Sequence, residues 1–352
     1  MEDLPAKTAA IIKLGFMLVI AILLLSQAFG AATPVTTTAS QDDVEIVNQQ
    51  GRIDIPGDDS VQNVTAVTTS LNTEVALDGS PDAAVSLDTS LNLTENWETC
   101  TLARADDSVV SNNEQRAILS LNELIVYYNG TADTYAAWYY DDGSRASVEV
   151  AVAAPDPTNR TAVCIQRTPD TLTLFRNTSA NKSVSLASGQ ADAPSPAPWD
   201  GELEEIRVWN RTNNASQRQA YVDQPALAVR GEPAAVRLMF DVWDRSRSSV
   251  PAYFADGDAS LSGASLVTTG VSGPTISSGS DYTISGLNNR IISVPDGSLL
   301  TGDGDVLFTE FEQQQFGGLL NTAKRIFQAV FILVALGGLL MAGRYATEMF
   351  DM

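Results

Sequence analysis

The 18 residues Ile326–Gly343, IFQAVFILVALGGLLMAG, carry no charge and are closed off by Lys324-Arg325 before them and Arg344 after them. As a helix they would span roughly 27 Å, the thickness of a hydrocarbon core. The sequence therefore predicts a transmembrane helix over 326–343 with a cytoplasmic tail at 344–352. Gly338 and Ala342 lie one turn apart, a spacing that either lets two such helices meet in a homo-oligomer or merely lightens the helix. Upstream, Phe308, Phe311, Leu319, Leu320, Ala323 and Phe327 suggest a juxtamembrane helix over 305–325, broken near Gly317-Gly318.

A second apolar run, Leu14–Leu25, has Lys7 and Lys13 on its N-terminal side, and no positive charge follows until Arg52. That asymmetry puts the N-terminus in the cytoplasm and residues 1–32 in the membrane as an anchor. A cleaved signal peptide fits the same residues, with Ala28, Gly30, Ala31 and Ala32 supplying the small side chains. Either way the middle of the chain is expected outside the cytoplasm, at a cell surface or on a virion membrane. It carries Asn-x-Ser/Thr sequons at Asn63, Asn92, Asn129, Asn159, Asn177, Asn181, Asn210 and Asn214. They are expected glycosylation sites.

The formal charge is −22, from 28 Asp and 15 Glu against 17 Arg and 4 Lys. Such a surface repels nucleic acid and, in dilute buffer, itself. In molar salt the Debye length falls to about 3 Å and the self-repulsion fades. Asp above Glu and Arg above Lys give the chain the look of a haloarchaeal protein or one from a haloarchaeal virus. A hydrophobic content of 44% argues against disorder. The chain has no histidine, which removes the commonest general base and metal ligand.

From the Thr-rich spacer at 33–43 to about residue 310 the pattern is short strands with turn punctuation. Residues 117–121 and 124–128 flank Asn122-Glu123 as a hairpin, and 134–140 and 145–153 flank Asp141–Ser144 as another. Val148, Val150 and Val152 alternate with Glu149 and Ala151, the period of a half-buried strand. Ala191–Pro198 reads as a loop. Pro225–Pro233 reads as a boundary, after which VRLMFDVW at 236–243 opens a second β region. Many short strands of this kind make a sandwich or jelly roll.

Three stretches carry a family resemblance: ALDGSPDAAVSLDTSLNLTENWETCTL (76–102), TAVCIQRTPDTLTLFRNTS (161–179) and WDGELEEIRVWNRTNNASQRQAYV (199–222). Together they resemble the laminin-G-like and pentraxin domains, whose fold is the concanavalin A-like jelly roll. The third stretch matches the closing strand and the short helix after it. The resemblance implies a disulfide between Cys100 on the opening strand and Cys164 on the hairpin. It also implies calcium binding, for which Asp192 in Gly189-Gln190-Ala191-Asp192 is the candidate ligand, although the acidic Glu of the family run is missing. Asp141, Asp142 and Asp200 read as halophilic surface.

The expected architecture is mainly β: transmembrane helices at both ends, spacer and stalk strands at 33–75, a jelly roll at 76–229 and a membrane-proximal β region at 230–304. Segments 44–75 and 231–304 are expected to pair as a stalk. No enzymatic constellation stands out. Asp200, Glu202, Glu204 and Glu205 cluster, but the Glu204-Glu205 step breaks the alternation of a glycosidase pair. The expected function is recognition or attachment, with partners among membrane lipid and surface glycans or another envelope or capsid protein. The alternative is a structural membrane protein that organises a coat. Tyr139, Tyr140 and Trp199 are candidates to stack on sugars, or core residues.

Overall fold

The computed structural model describes residues 37–53, 62–88, 91, 93, 95–121, 123–141, 146–178, 180–227, 234–253, 257–269, 273–286, 289 and 291–314. Both expected membrane segments, 1–32 and 326–343, lie outside them, as does the tail at 344–352. Among the described residues no helix is long and apolar enough to cross a membrane.

In chain order the strands are β1 (Thr37–Glu45), β2 (Gln50–Arg52), β3 (Gln62–Thr68), β4 (Thr73–Asp78), β5 (Ala84–Ser86) and β6 (Trp97–Ala105). A one-turn helix α1 (Asp107–Asn112) precedes β7 (Gln115–Leu121), β8 (Leu124–Asn129), β9 (Thr134–Asp141) and β10 (Ala146–Ala153). Then come β11 (Thr161–Arg167), β12 (Thr171–Arg176), β13 (Ala180–Ser185), β14 (Ala197–Pro198), β15 (Asp200–Trp209) and helix α2 (Ala215–Asp223). The chain continues with β16 (Val236–Met239), β17 (Ser249–Tyr253), β18 (Asp258–Ser262), β19 (Ala264–Thr268), β20 (Thr283–Ser285), β21 (Ile291–Ser293) and β22 (Val306–Gln314).

Two sheets make the sandwich. A five-stranded sheet runs β10-β9-β8-β7-β14, and a large one runs β13-β12-β11-β6-β15-β16-β17-β18-β5, with β4 and β19 branching from β15. Alternation decides which side of each strand is buried. Val126, Tyr128, Tyr135, Ala137, Val148 and Val150 of the smaller sheet share one core with Val75, Ala103, Val163, Leu172, Leu174 and Leu203 of the larger. Both expected hairpins are present, as β7–β8 and β9–β10.

Gly201 shows how tightly the closing strand is held. Its φ is +143° and a Cβ there would stand 2.2 Å from the Arg104 carbonyl oxygen, so only glycine fits. Two steps later the β15–β6 register shifts between Leu203 and Ile206. The bulge spends Glu204 and Glu205 in succession on the outward side, which keeps Leu203 and Ile206 both in the core.

Two expectations need correction. Of the region expected over 230–304, the first strands continue the sandwich, β16 pairing with β15 while β17 and β18 carry the same sheet on to β5, whereas β20 and β21 lie in a separate three-stranded sheet with β2. Continuation satisfies the edge of β15, which a free-standing region would leave open. Segments 44–75 and 231–304 do pair, β2 with β21 and the start of β4 with β19, but β19 and β4 belong to the sandwich sheet. The helix expected from residue 305 is a strand over its first part, because β22 pairs between β1 and β3. Val306 and Phe308, two apart, face Met239 together, the period of a strand and not of a helix. Residues 315–325 lie outside the described residues.

The 225–227 segment is tied down by a buried charge cluster. Glu205 accepts from the Arg207 guanidinium and from Arg237 Nε at 2.7 Å. Arg207 in turn donates to the Pro225 carbonyl, and Arg237 donates to the carbonyls of Ala226 and Gly304, both at 2.8 Å. One carboxylate and a set of carbonyls thus satisfy two buried guanidiniums, the condition for burying charge at all. Burial pulls the Arg237 pKa below its ordinary value.

Candidate functional site

The outward sides of the two sheets differ in what they present. On the large sheet, α2 lies over the strands: Tyr221 is buried edge-on against Trp209, in one cluster with Cys100, Leu102, Ala162, Cys164 and Phe175. Asn214 caps this helix with a capping box through Gln217. Beneath it, buried Glu98 accepts from Asn213 N at 2.8 Å and from Gln166 Nε2 and Arg218 Nη1 at 3.1 Å. Burial raises the Glu98 pKa, and these bonds oppose the rise. Cys100 and Cys164 stand opposite each other on β6 and β11 and are disulfide-bonded, as the resemblance implied.

On the five-stranded sheet, the outward residues of β9 are Ala136, Trp138 and Tyr140. Trp138 and Tyr140 are half-buried, their rings 12° from parallel with centroids 6.4 Å apart. Trp138 is fixed in place: its Nε1–H donates to the Ala191 carbonyl at 3.1 Å, and the same oxygen accepts from Ser147 Oγ at 2.7 Å. Ala191 N donates back to the Ser147 carbonyl. The segment after the 3-10 turn Leu186–Ser188 is thereby stitched to β10 beside the indole. Across the sheet Ile125 stands opposite Trp138, and Tyr127 opposite Ala136. The Tyr127 hydroxyl donates to Glu149 Oε2 at 2.7 Å. Burial and that carboxylate together hold the phenol well above its ordinary pKa, so it stays a donor. The result is a preorganised aromatic shelf, edged by the exposed Glu149 carboxylate, the Ser147 hydroxyl and exposed Asp192. It suits a ligand with one apolar face and hydroxyls around its rim.

Of the aromatic candidates from the sequence, only Tyr140 belongs here. Trp199 is 2% exposed and lies in the core, while Tyr139 turns inward against Trp97 and the Arg167 guanidinium. Trp138 was missed, although the parity of TYAAWYY places it on the same side as Tyr140 and opposite Tyr139. Asp192 is exposed beside the shelf. Among the described residues the one close group of three potential metal ligands is Glu98, Cys100 and Cys164, and the disulfide removes its two sulfurs as ligands. Asp192 therefore has no such cluster around it. Asp200 accepts from Ser108 Oγ at 2.8 Å. Of the suspected carboxylate cluster, Glu204 is ion-paired with Arg160 and Glu205 with two arginines.

The sequons distribute unevenly. Asn181, on β13, stands opposite Phe175 and is exposed on the large sheet's outward side. Asn210 follows β15, Asn214 caps α2, and the turn at Asn177 is joined to α2 by Thr178 Oγ1 donating to Gln219. Asn159 is exposed in the loop before β11. Asn129 closes β8 on the shelf's own side, four residues from Ile125, about 13 Å away along the strand. Asn63 lies in β3, and Asn92 is outside the described residues.

No family model matches the sequence, and no curated protein matches it. Among solved structures the chain is similar to a putative carbohydrate binding protein from Bacteroides ovatus, at 12% identity and TM-score 0.43 over 58% of this chain and 62% of that one. It is similar to a heptameric SAP-like pentraxin from Limulus polyphemus at 13% identity and TM-score 0.35, over 44% of this chain and 83% of that one. Domains LG4-5 of the mouse laminin alpha1 chain follow at 8% identity and TM-score 0.29, over 39% and 40%. These neighbours are jelly-roll proteins of the concanavalin A-like kind. The likeness does not extend to a ligand.

Proposed function

We propose that the protein is a recognition or attachment protein that binds a carbohydrate on the Trp138–Tyr140 shelf. The observation that carries this reading is the pair of near-parallel, half-exposed rings, with the indole locked by the Ala191 carbonyl. Sugars present an axial C–H face that packs on an aromatic ring and equatorial hydroxyls that bond at its rim. Glu149 and Asp192, and Ser147 Oγ, whose proton goes to the Ala191 carbonyl, supply acceptors at the rim for those hydroxyls. Membrane attachment through 1–32 and 326–343, an extracytoplasmic position and a high-salt setting in a halophilic archaeon or its virus complete the proposal. They rest on the apolar segments, the sequons and the charge of −22. No catalytic role is proposed: Glu202, Glu204 and Glu205 of β15 are paired with arginines and Asp200 is bonded to Ser108.

The test is glycan-array binding by the full chain in molar salt, alongside Trp138→Ala. Saturable binding to a defined glycan, lost in the variant, supports the reading. Silence across the array, or binding that survives the substitution, favours a structural role in a coat.

A further inference from the structure

An open groove of about 390 Å³ is lined by α2 and its N-cap together with residues 227, 299 and 301. Its volume falls within the roughly 300–1,000 Å³ of small-molecule sites. The lining is mixed and carries no charge: Leu227 and Leu299 are its large apolar members, and Gln217, Gln224 and Thr301 bring amide and hydroxyl groups. Asn214 also lines it, and Asn214 opens the sequon Asn214-Ala215-Ser216.

The walls are held in place. Leu299 N donates to Asp281 Oδ1 at 3.0 Å, and Thr301 N to Asp305 Oδ2 at 2.7 Å. Leu227 N donates to the Gln224 carbonyl at 3.0 Å. Leu299 is 50% exposed, one of two large hydrophobic residues so open to solvent among the described residues. A lone exposed leucine needs no explanation. This one is the apolar wall of a preformed groove with hydrogen-bonding groups beside it.

The cap of α2 leaves Asn214 free to be modified. Its Oδ1 accepts from Gln217 N at 3.0 Å, and Gln217 Oε1 accepts from Asn214 N at 2.9 Å. The cap thus uses the amide oxygen and fixes the amide plane, while substitution on Nδ2 leaves that oxygen an acceptor. Asn159 differs, because its Nδ2 already donates to Asp156 Oδ2 at 2.5 Å.

We propose that Asn214 carries an N-linked glycan and that this groove seats its first sugar, a neutral pyranose. In the attachment, Nδ2 bonds to the anomeric carbon of an activated sugar donor. The bond from that carbon to a phosphate leaving group breaks, its electron pair leaves with the phosphate, and the amide proton passes to a base of the transferring enzyme. The C–H face of the ring then packs on Leu299 and Leu227, and its hydroxyls bond to Gln224 and Thr301. The inference rests on the extracytoplasmic reading and is independent of the aromatic shelf.

The experiment uses the full chain made in a halophilic archaeal host that glycosylates Asn-x-Ser/Thr. Mass spectrometry of its proteolytic peptides should find Asn214 occupied. A bare Asn214 beside other occupied sequons overturns this inference alone, whereas bare asparagines at every sequon overturn the extracytoplasmic reading with it. Seating is read by amide hydrogen exchange across residues 217–227. Ser216→Ala removes the sequon and keeps the cap, and exchange there should become about tenfold faster than in the glycosylated parent. Repeating the same pair on a Leu299→Ala background should abolish the difference, because the wall is gone. Equal exchange in parent and Ser216→Ala, or a difference that survives Leu299→Ala, would show that the sugar does not sit in the groove.

Discussion

The outward sides of the two sheets make a natural experiment in how a sandwich treats its surfaces. The large sheet is roofed by α2, cross-linked by Cys100–Cys164 and crossed by the ion pairs of Glu98, Glu204 and Glu205. The five-stranded sheet has no such roof among the described residues. Its Trp138 and Tyr140 stay half-exposed, with their neighbours fixed by side-chain bonds. Interactions on the first side close on one another, and those on the second prepare a surface. Stability should therefore be concentrated on one side and ligand affinity on the other.

The largest effect that tests this division comes from the disulfide. Replacing Cys100 and Cys164 by serine frees a loop of 64 residues and should lower the unfolding free energy by about 4 kcal/mol. Guanidinium denaturation in molar salt reads this directly. Glycan affinity of the folded fraction should not change, and a parallel loss of affinity would break the comparison.

A somewhat smaller effect attaches to Glu204. Burial pushes its carboxyl up from 4.5 to about 7, against the pull of Arg160. The folded state therefore prefers the neutral acid. That contribution is complete below pH 4.5 and is lost as pH rises through 7, a change of about 3 kcal/mol. Burial moves Asp241 in the same direction, to about 6, so the parent chain should lose stability between pH 4 and pH 8. Glu204→Gln should flatten that fall by its own share, and identical pH profiles for both chains would remove Glu204 from the account.

On the shelf, Trp138→Ala should weaken glycan binding about thirtyfold, near 2 kcal/mol, with little change in the denaturation midpoint. A large stability loss without an affinity loss would make Trp138 a packing residue. The smallest effect is Asn214→Ala, which removes the cap of α2 and should cost about 1 kcal/mol of stability with affinity intact.

Much of this arrangement was legible in the chain. The hairpins around residues 122 and 142 were visible as paired β-type runs with turn residues between them, and the family resemblance supplied the disulfide partners and the short helix after Trp209. Local patterns failed where the decisive contact was distant. The apolar spacing from Phe308 onward suggests a helix, but β22 lies between two strands more than 200 residues earlier in the chain. The proline-rich 225–233 stretch reads locally as a domain boundary; its first carbonyls, those of Pro225 and Ala226, are held by Arg207 and Arg237 from two neighbouring strands of one sheet, and 228–233 lie outside the described residues.

By itself the sequence determined the β character of the middle, its acidity and the side to which each residue of TYAAWYY turns, since alternation and charge are properties of adjacent residues. Only the tertiary structure decided that Trp199 goes inside while Trp138 stays out, and that Glu204 and Glu205 meet arginines. Those outcomes depend on which strand lies alongside, and strand neighbours are chosen by burial of the whole core.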